Sequence, residues 1–122
     1  MSAAEYRPDY GMLAPVVARI DSLNGWFLAA GVILTDLGDL ATTYIGVFHL
    51  GLSESNALAA TVLADAGIAG LVGLKLAGYL FAIGLVQLAD DPVEVGKIGA
   101  AVWTVQTAIV VASNCLAIHH HL

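Results

Sequence analysis

Seven residues carry the polar chemistry of this chain: Asp36, Asp39, Thr42, Thr43, Glu54, Asn56 and Lys75. The two aspartates and the threonines lie in the apolar run TDLGDLATTYIGVFHL, residues 35–50. Glu54 and Asn56 belong to the polar stretch GLSESN that comes next, and Lys75 lies deep in a second apolar run. Carboxylates and an ammonium in such surroundings suit three kinds of chemistry. They can pair across two helices, bind a cation together with threonine hydroxyls, or relay a proton. Each charge placed inside a bilayer costs about 2.5–3.5 kcal/mol on insertion scales, so the pattern demands a compensating arrangement.

Positioning these groups falls to a membrane scaffold. The chain has 122 residues, 59% hydrophobic and 11% charged, with a mean hydropathy of +0.85. Soluble domains average roughly 45–50% apolar and about 25% charged residues. A chain this short has too much surface to hide so much apolar sequence in a water-soluble core. The formal net charge of −6 argues against nucleic acid as a partner and against a polybasic lipid-binding surface. One cysteine, Cys115, allows no intramolecular disulfide. The acidic, lysine-poor balance suits a halophilic, archaeal source.

The chain divides into an N-terminal region, 1–24, and a single transmembrane domain, 25–122. Residues 1–11 read as a polar tail with no secretory signal, since Glu5 and Asp9 occupy the positions of a basic n-region. Residues 12–22 form an amphipathic interfacial helix opened by Pro15, or an extension of the next helix. A first span covers about 25–48, with Trp26 at one end and Tyr44, Phe48 and His49 near the other. Residues 57–89 are too long for one crossing. They split into a short interfacial or re-entrant helix over 57–64, a break at Asp65, and a second span over about 66–88. Ser55 or Asn56 can cap the helix after the turn. Within the second span, Ala69, Gly73 and Ala77, and also Ala66 and Gly70, repeat at a spacing that lets helices approach closely. Residues 90–97 read as a polar loop. The third span covers about 98–118, with Gln106, Thr107, Val110, Ser113 and Asn114 on a broad face turned toward the other helices. The fold class expected is an all-α integral membrane protein with three transmembrane helices plus short interfacial or re-entrant helices. Arg7, Arg19 and Lys97 fall on one side of such a bundle, which places the N-terminus in the cytoplasm of a cell-membrane protein.

Depth counting brings the charges together. Asp39 lies about 11 residues before the end of the first span and Lys75 about 10 residues past Asp65. At 1.5 Å per residue both sit about 15 Å from the same membrane face, so antiparallel neighbours bring them to one level. Thr35, Asp36, Asp39, Thr42 and Thr43 share one stripe of their helix. An Asp39–Lys75 pair can simply fix helix register, or it can relay protons. Asp36 is left without an obvious partner, to stay protonated or to bind a cation. Glu54 and Asn56 are turn and cap residues, or close the polar site from outside.

The order Asp39, Thr42 or Thr43, Glu54, Asn56, Lys75 resembles a family of small prokaryotic integral membrane proteins of unknown function (DUF5658-like). Its members read D-x-x-[LT]-T near the end of one span, E-x-N-P after it and a single lysine in the next. The resemblance covers about residues 25–88. Here Ala57 stands where the family usually has proline, which leaves the turn after Asn56 less fixed. The resemblance implies a membrane fold with these polar residues clustered, and brings no activity with it.

Other patterns lead nowhere chemical. The spacing of Asp36 and Asp39 is similar to the metal-binding aspartates of membrane phosphotransferases, but the further aspartates and the arginine those enzymes need are absent. His119 to His121 read as a tail, His49 as an interfacial residue, and Cys115 lacks a neighbouring base. The expectation is therefore a non-enzyme with no cofactor and no metal. Its expected partners are the lipid bilayer and either further copies of itself or other membrane-protein subunits. It acts as a structural, assembly or accessory subunit, with an oligomeric ion or proton channel or carrier as the alternative.

Overall fold

The computed structural model describes residues 9–54 and 56–122. Arg7, used for orientation, most of the polar tail and Ser55, offered as a cap, lie outside the described residues. The elements are a short 3-10 turn at Gly11–Leu13, α1 (Ala14–Asp21), α2 (Gly25–Tyr44) continuing into a π-helical turn at Ile45–His49, α3 (Ala57–Val86) and α4 (Pro92–His120). Three of these helices are long and apolar enough to cross a membrane, over Gly25–His49, Ala57–Val86 and Pro92–His120.

Side chains of the connecting segments start each long helix. Asn24 Oδ1 accepts from the Trp26 N–H at 2.8 Å, Asn56 Oδ1 from Ala59 N–H at 3.1 Å, and Asp91 Oδ1 from Glu94 N–H at 3.1 Å. Each bond satisfies one of the four N–H groups a helix start leaves free. With Asp91 as cap and Pro92 in the first turn, α4 begins inside the stretch expected to be a loop over 90–97. Proline is at home there because its missing N–H is one of the orphans. α2 ends where Gly51 turns left-handed at φ 68° and Leu52 N–H reaches back to the Gly46 carbonyl at 2.8 Å.

The break expected at Asp65 lies slightly further on, at Gly67 (φ 64°, ψ −155°). Only glycine occupies that region without strain. The kink folds the two parts of α3 tightly on each other: a Cβ on Gly70 would come within 2.7 Å of Ala66 Cβ and 2.8 Å of Val62 Cγ1. The Ala66–Gly70 ridge therefore serves the kink within α3. The Ala69–Gly73–Ala77 ridge is open at its centre, with nothing within 4 Å of where a Gly73 Cβ would be.

α2 packs most closely on α4, and α3 lies more loosely against both. Close approach of α2 and α4 is made at two glycines of α2. A Cβ on Gly31 would lie 3.1 Å from Thr104 Oγ1, and one on Gly38 would lie 3.4 Å from a Val111 methyl. α1 lies against α4, tied by Lys97 Nζ donating to the Asp21 carbonyl at 2.8 Å. A small apolar cluster of Ala59, Leu63 and Leu71, with Leu40, Val47, Ile68 and Leu74 around it, fills the Glu54 end of the bundle. Elsewhere large apolar side chains such as Leu80 and Phe81 face outward, as lipid requires.

Candidate functional site: a polar staple across three helices

Helical periodicity sets the site. Asp36, Asp39 and Thr43 share one face of α2, Lys75 and Tyr79 stand one turn apart on α3, and Trp103 and Asn114 lie on the inward face of α4. Lys75 Nζ donates to Asp39 Oδ2 at 2.7 Å and to Asp36 Oδ1 at 3.1 Å. It thus bridges both carboxylates. The expected Asp39–Lys75 contact is present.

Asp36 is not the unpartnered residue that the spacing suggested. It is the most buried member, 4% exposed. Besides Lys75 it accepts from the Tyr79 hydroxyl and, at 3.0 Å, from Trp103 Nε1. Its carboxylate therefore joins α2 to both other spanning helices. The reason is rotational: Asp36 points into the seam where all three helices meet. Asp39, one turn on, sits nearer the edge, with its side chain 17% exposed. Asp39 Oδ1 accepts from Asn114 Nδ2 at 3.3 Å and from Thr43 Oγ1 at 3.4 Å. Thr42 Oγ1 accepts from Asn114 Nδ2 at 3.0 Å and donates to the Gly38 carbonyl at 2.9 Å. Thr35 turns its hydroxyl back to the Gly31 carbonyl at 2.8 Å and takes no part in the staple. Among the described residues, no buried side-chain nitrogen or oxygen lacks a hydrogen-bond partner.

Glu54 and Asn56 stand apart from the ion pair. Glu54 Oε1 accepts from the Asn56 N–H at 3.1 Å, and Asn56 caps α3. Glu54 nevertheless lines a cleft of about 180 Å³ together with Thr42, Thr43 and Asn114. That cleft lies on the Glu54 side of Asp39. Two carboxylates against one ammonium give the staple a formal charge of −1.

Three members escaped the sequence reading. Tyr79 is one turn beyond Lys75 on the same face, a signal that spacing contained. Trp103 lies in the first half of the third span, and its indole N–H points at Asp36 while its ring stands 5.1 Å from that of Tyr79. Gly78 leaves room for this, since a Cβ there would lie 3.5 Å from the indole. Asn114 lies on the inward face that the spacing predicts, and its bond to Asp39 is what the spacing does not reveal. The face itself needs correction: Thr107 is buried and Asn114 points inward, whereas Gln106, Val110 and Ser113 are exposed. Trp103, Thr107, Val111 and Asn114 follow one line along α4, and Gln106 and Ser113 lie around the helix from it.

A fully partnered polar staple that joins three helices of membrane-spanning length defines a small all-α integral membrane protein. Residues 30–120 match the family described as Domain of unknown function (DUF5658), and the chain belongs to that family. The match reaches the end of α4, so it takes in every residue of the staple, Trp103 and Asn114 included. No curated protein and no solved structure matches the chain. Among the described residues, no group of three His, Cys, Asp or Glu is placed to hold a metal ion.

Proposed function

We propose that this protein is a structural or accessory subunit of a membrane assembly, without catalytic activity. Its staple holds three thinly packed helices in one register. The carrying observation is that all four carboxylate oxygens of the staple are engaged: Lys75 spans both carboxylates, Tyr79 and Trp103 donate to the other oxygen of Asp36, and Asn114 and Thr43 to the other oxygen of Asp39. A group engaged on every side is suited to fixing geometry. In this reading the N-terminus is cytoplasmic, which puts the Glu54 turn and the end of α4 outside.

A second reading has its own support. The formal charge of −1 and the cleft between Glu54, Thr42 and Asn114 suit a cation or proton that reaches Asp39 from the Glu54 side. An oligomer of this chain would then act as a channel or carrier. Purified protein in sealed vesicles separates the two. The assembly reading expects cation and proton flux equal to that of protein-free vesicles, and stoichiometric co-purification with other membrane subunits or its own copies. A flux above background that Asp39→Asn abolishes would replace it with the transport reading.

A further inference from the structure

Gln106 is the middle residue of α4 (Pro92–His120). It is exposed, and its side-chain amide makes no hydrogen bond among the described residues. In a spanning helix this places a primary amide, with two donors and an acceptor, against hydrocarbon that offers no partner. The neighbours of Gln106 on that side follow a strict pattern. Gly99, Val102, Gln106, Ile109, Ser113 and Leu116 alternate at steps of three and four, and all six are exposed. This is the spacing of an a/d seam as left-handed helix pairs use it, with glycine, glutamine and serine at a and branched apolar residues at d. The seam lies about a third of a turn around α4 from the line of Trp103, Thr107 and Asn114, and its six residues stay exposed when the bundle forms.

We infer that α4 pairs through this seam with α4 of a second copy of the chain, forming a two-fold dimer in which the Gln106 amides hydrogen-bond to each other. Complementarity selects the occupant. An amide is its own best partner, because donor and acceptor on one copy meet acceptor and donor on the other. Two copies inserted with the same topology are related by an axis along the membrane normal, which sets their α4 helices parallel and both Gln106 residues at the same depth. Gly99 and Ser113, a heptad on either side, allow the close approach that the pairing needs. A single polar a position also fixes register against the alternatives. This inference rests on the assembly reading and names the surface through which assembly begins.

The test uses the full chain with Cys115 replaced by serine, so that one introduced thiol reports. In a parallel pair, a and d residues meet their own copies within the Cα separation of about 4.4–6.8 Å that a disulfide spans. Val102→Cys, Gln106→Cys and Ile109→Cys should crosslink to dimers under mild oxidation in membranes. Leu80→Cys, on the lipid face of α3, should not. Energy transfer between labelled copies in vesicles measures the equilibrium. Gln106→Leu should weaken dimerisation about three- to twentyfold, the range for interhelical hydrogen bonds in membranes. Circular dichroism should show an unchanged helix content, since the side chain is exposed and has no hydrogen bond in its own bundle. The inference is overturned by a chain that stays monomeric at all protein-to-lipid ratios, by crosslinking through Leu80→Cys alone, or by Gln106→Leu pairing as wild type. Crosslinking of Val102→Cys in native membranes only to a different protein also overturns it, while leaving the assembly reading standing. Dimers of the expected geometry in vesicles that conduct cations would do the reverse.

Discussion

Replacing Asp36 by asparagine isolates the role of this residue, because the change keeps the shape and removes only the charge and one acceptor. The carboxylate takes hydrogen bonds from Lys75, Tyr79 and Trp103. With asparagine in its place, the single amide oxygen can serve the Tyr79 and Trp103 side, and the NH₂ then faces the Lys75 ammonium, donor against donor. Hydrogen bonds to a charged group contribute about 1.5–3 kcal/mol and those to a neutral one about 0.5–1.5, so the two aromatic donors together lose about 2 kcal/mol. Lys75 keeps Asp39 at 2.7 Å and loses only its second carboxylate, which adds about 1 kcal/mol. The expected loss for Asp36→Asn is therefore about 3 kcal/mol. Asp39→Asn leaves Lys75 with Asp36, sits at the more exposed edge, and can still bond Asn114 through its amide, so about 1 kcal/mol is expected. Reversible unfolding in mixed detergent micelles, followed by helix content and by the fluorescence of the two tryptophans, gives both values. Equal losses, or a larger loss for Asp39→Asn, would refute the assignment of Asp36 as the hub.

The packing account makes further predictions, the first two read from the same unfolding titration. Gly31→Leu forces α2 away from Thr104 and should cost about 1–3 kcal/mol as an overpacked contact. Gly73→Ala meets open space on α3 and should be neutral or raise stability by up to about 1 kcal/mol through helix propensity; a loss as large as that of Gly31→Leu would show that the α3 ridge packs within the chain. Gly67→Ala places a Cβ in a backbone region that excludes it, at a cost of about 1–3 kcal/mol. Spin labels on either side of the kink should report straightening of α3 in that variant, and an unchanged bend with unchanged stability would refute the glycine requirement.

What sequence alone determined here is set by length, hydropathy and local chemistry. Runs of apolar residues with about 20 needed per crossing dictate three spanning helices, since backbone polar groups in hydrocarbon must be satisfied within the segment. Caps are local by nature, so Asn56 is legible from its position just before an apolar run. Asp91 is equally local, yet the polar look of residues 90–97 concealed that a proline after a capping aspartate opens a helix. The depth match of Asp39 and Lys75 needs only a rise per residue and an antiparallel turn. Rotation about each helix axis, by contrast, is decided by packing. Gly31 and Gly38 draw α2 onto α4, which turns Asp36 into the three-helix seam where Trp103 of α4 meets it. The same rotation carries Gln106 outward. Spacing states which residues share a face, but only the tertiary structure states what that face meets, because the choice depends on the close approach of backbones far apart in the chain.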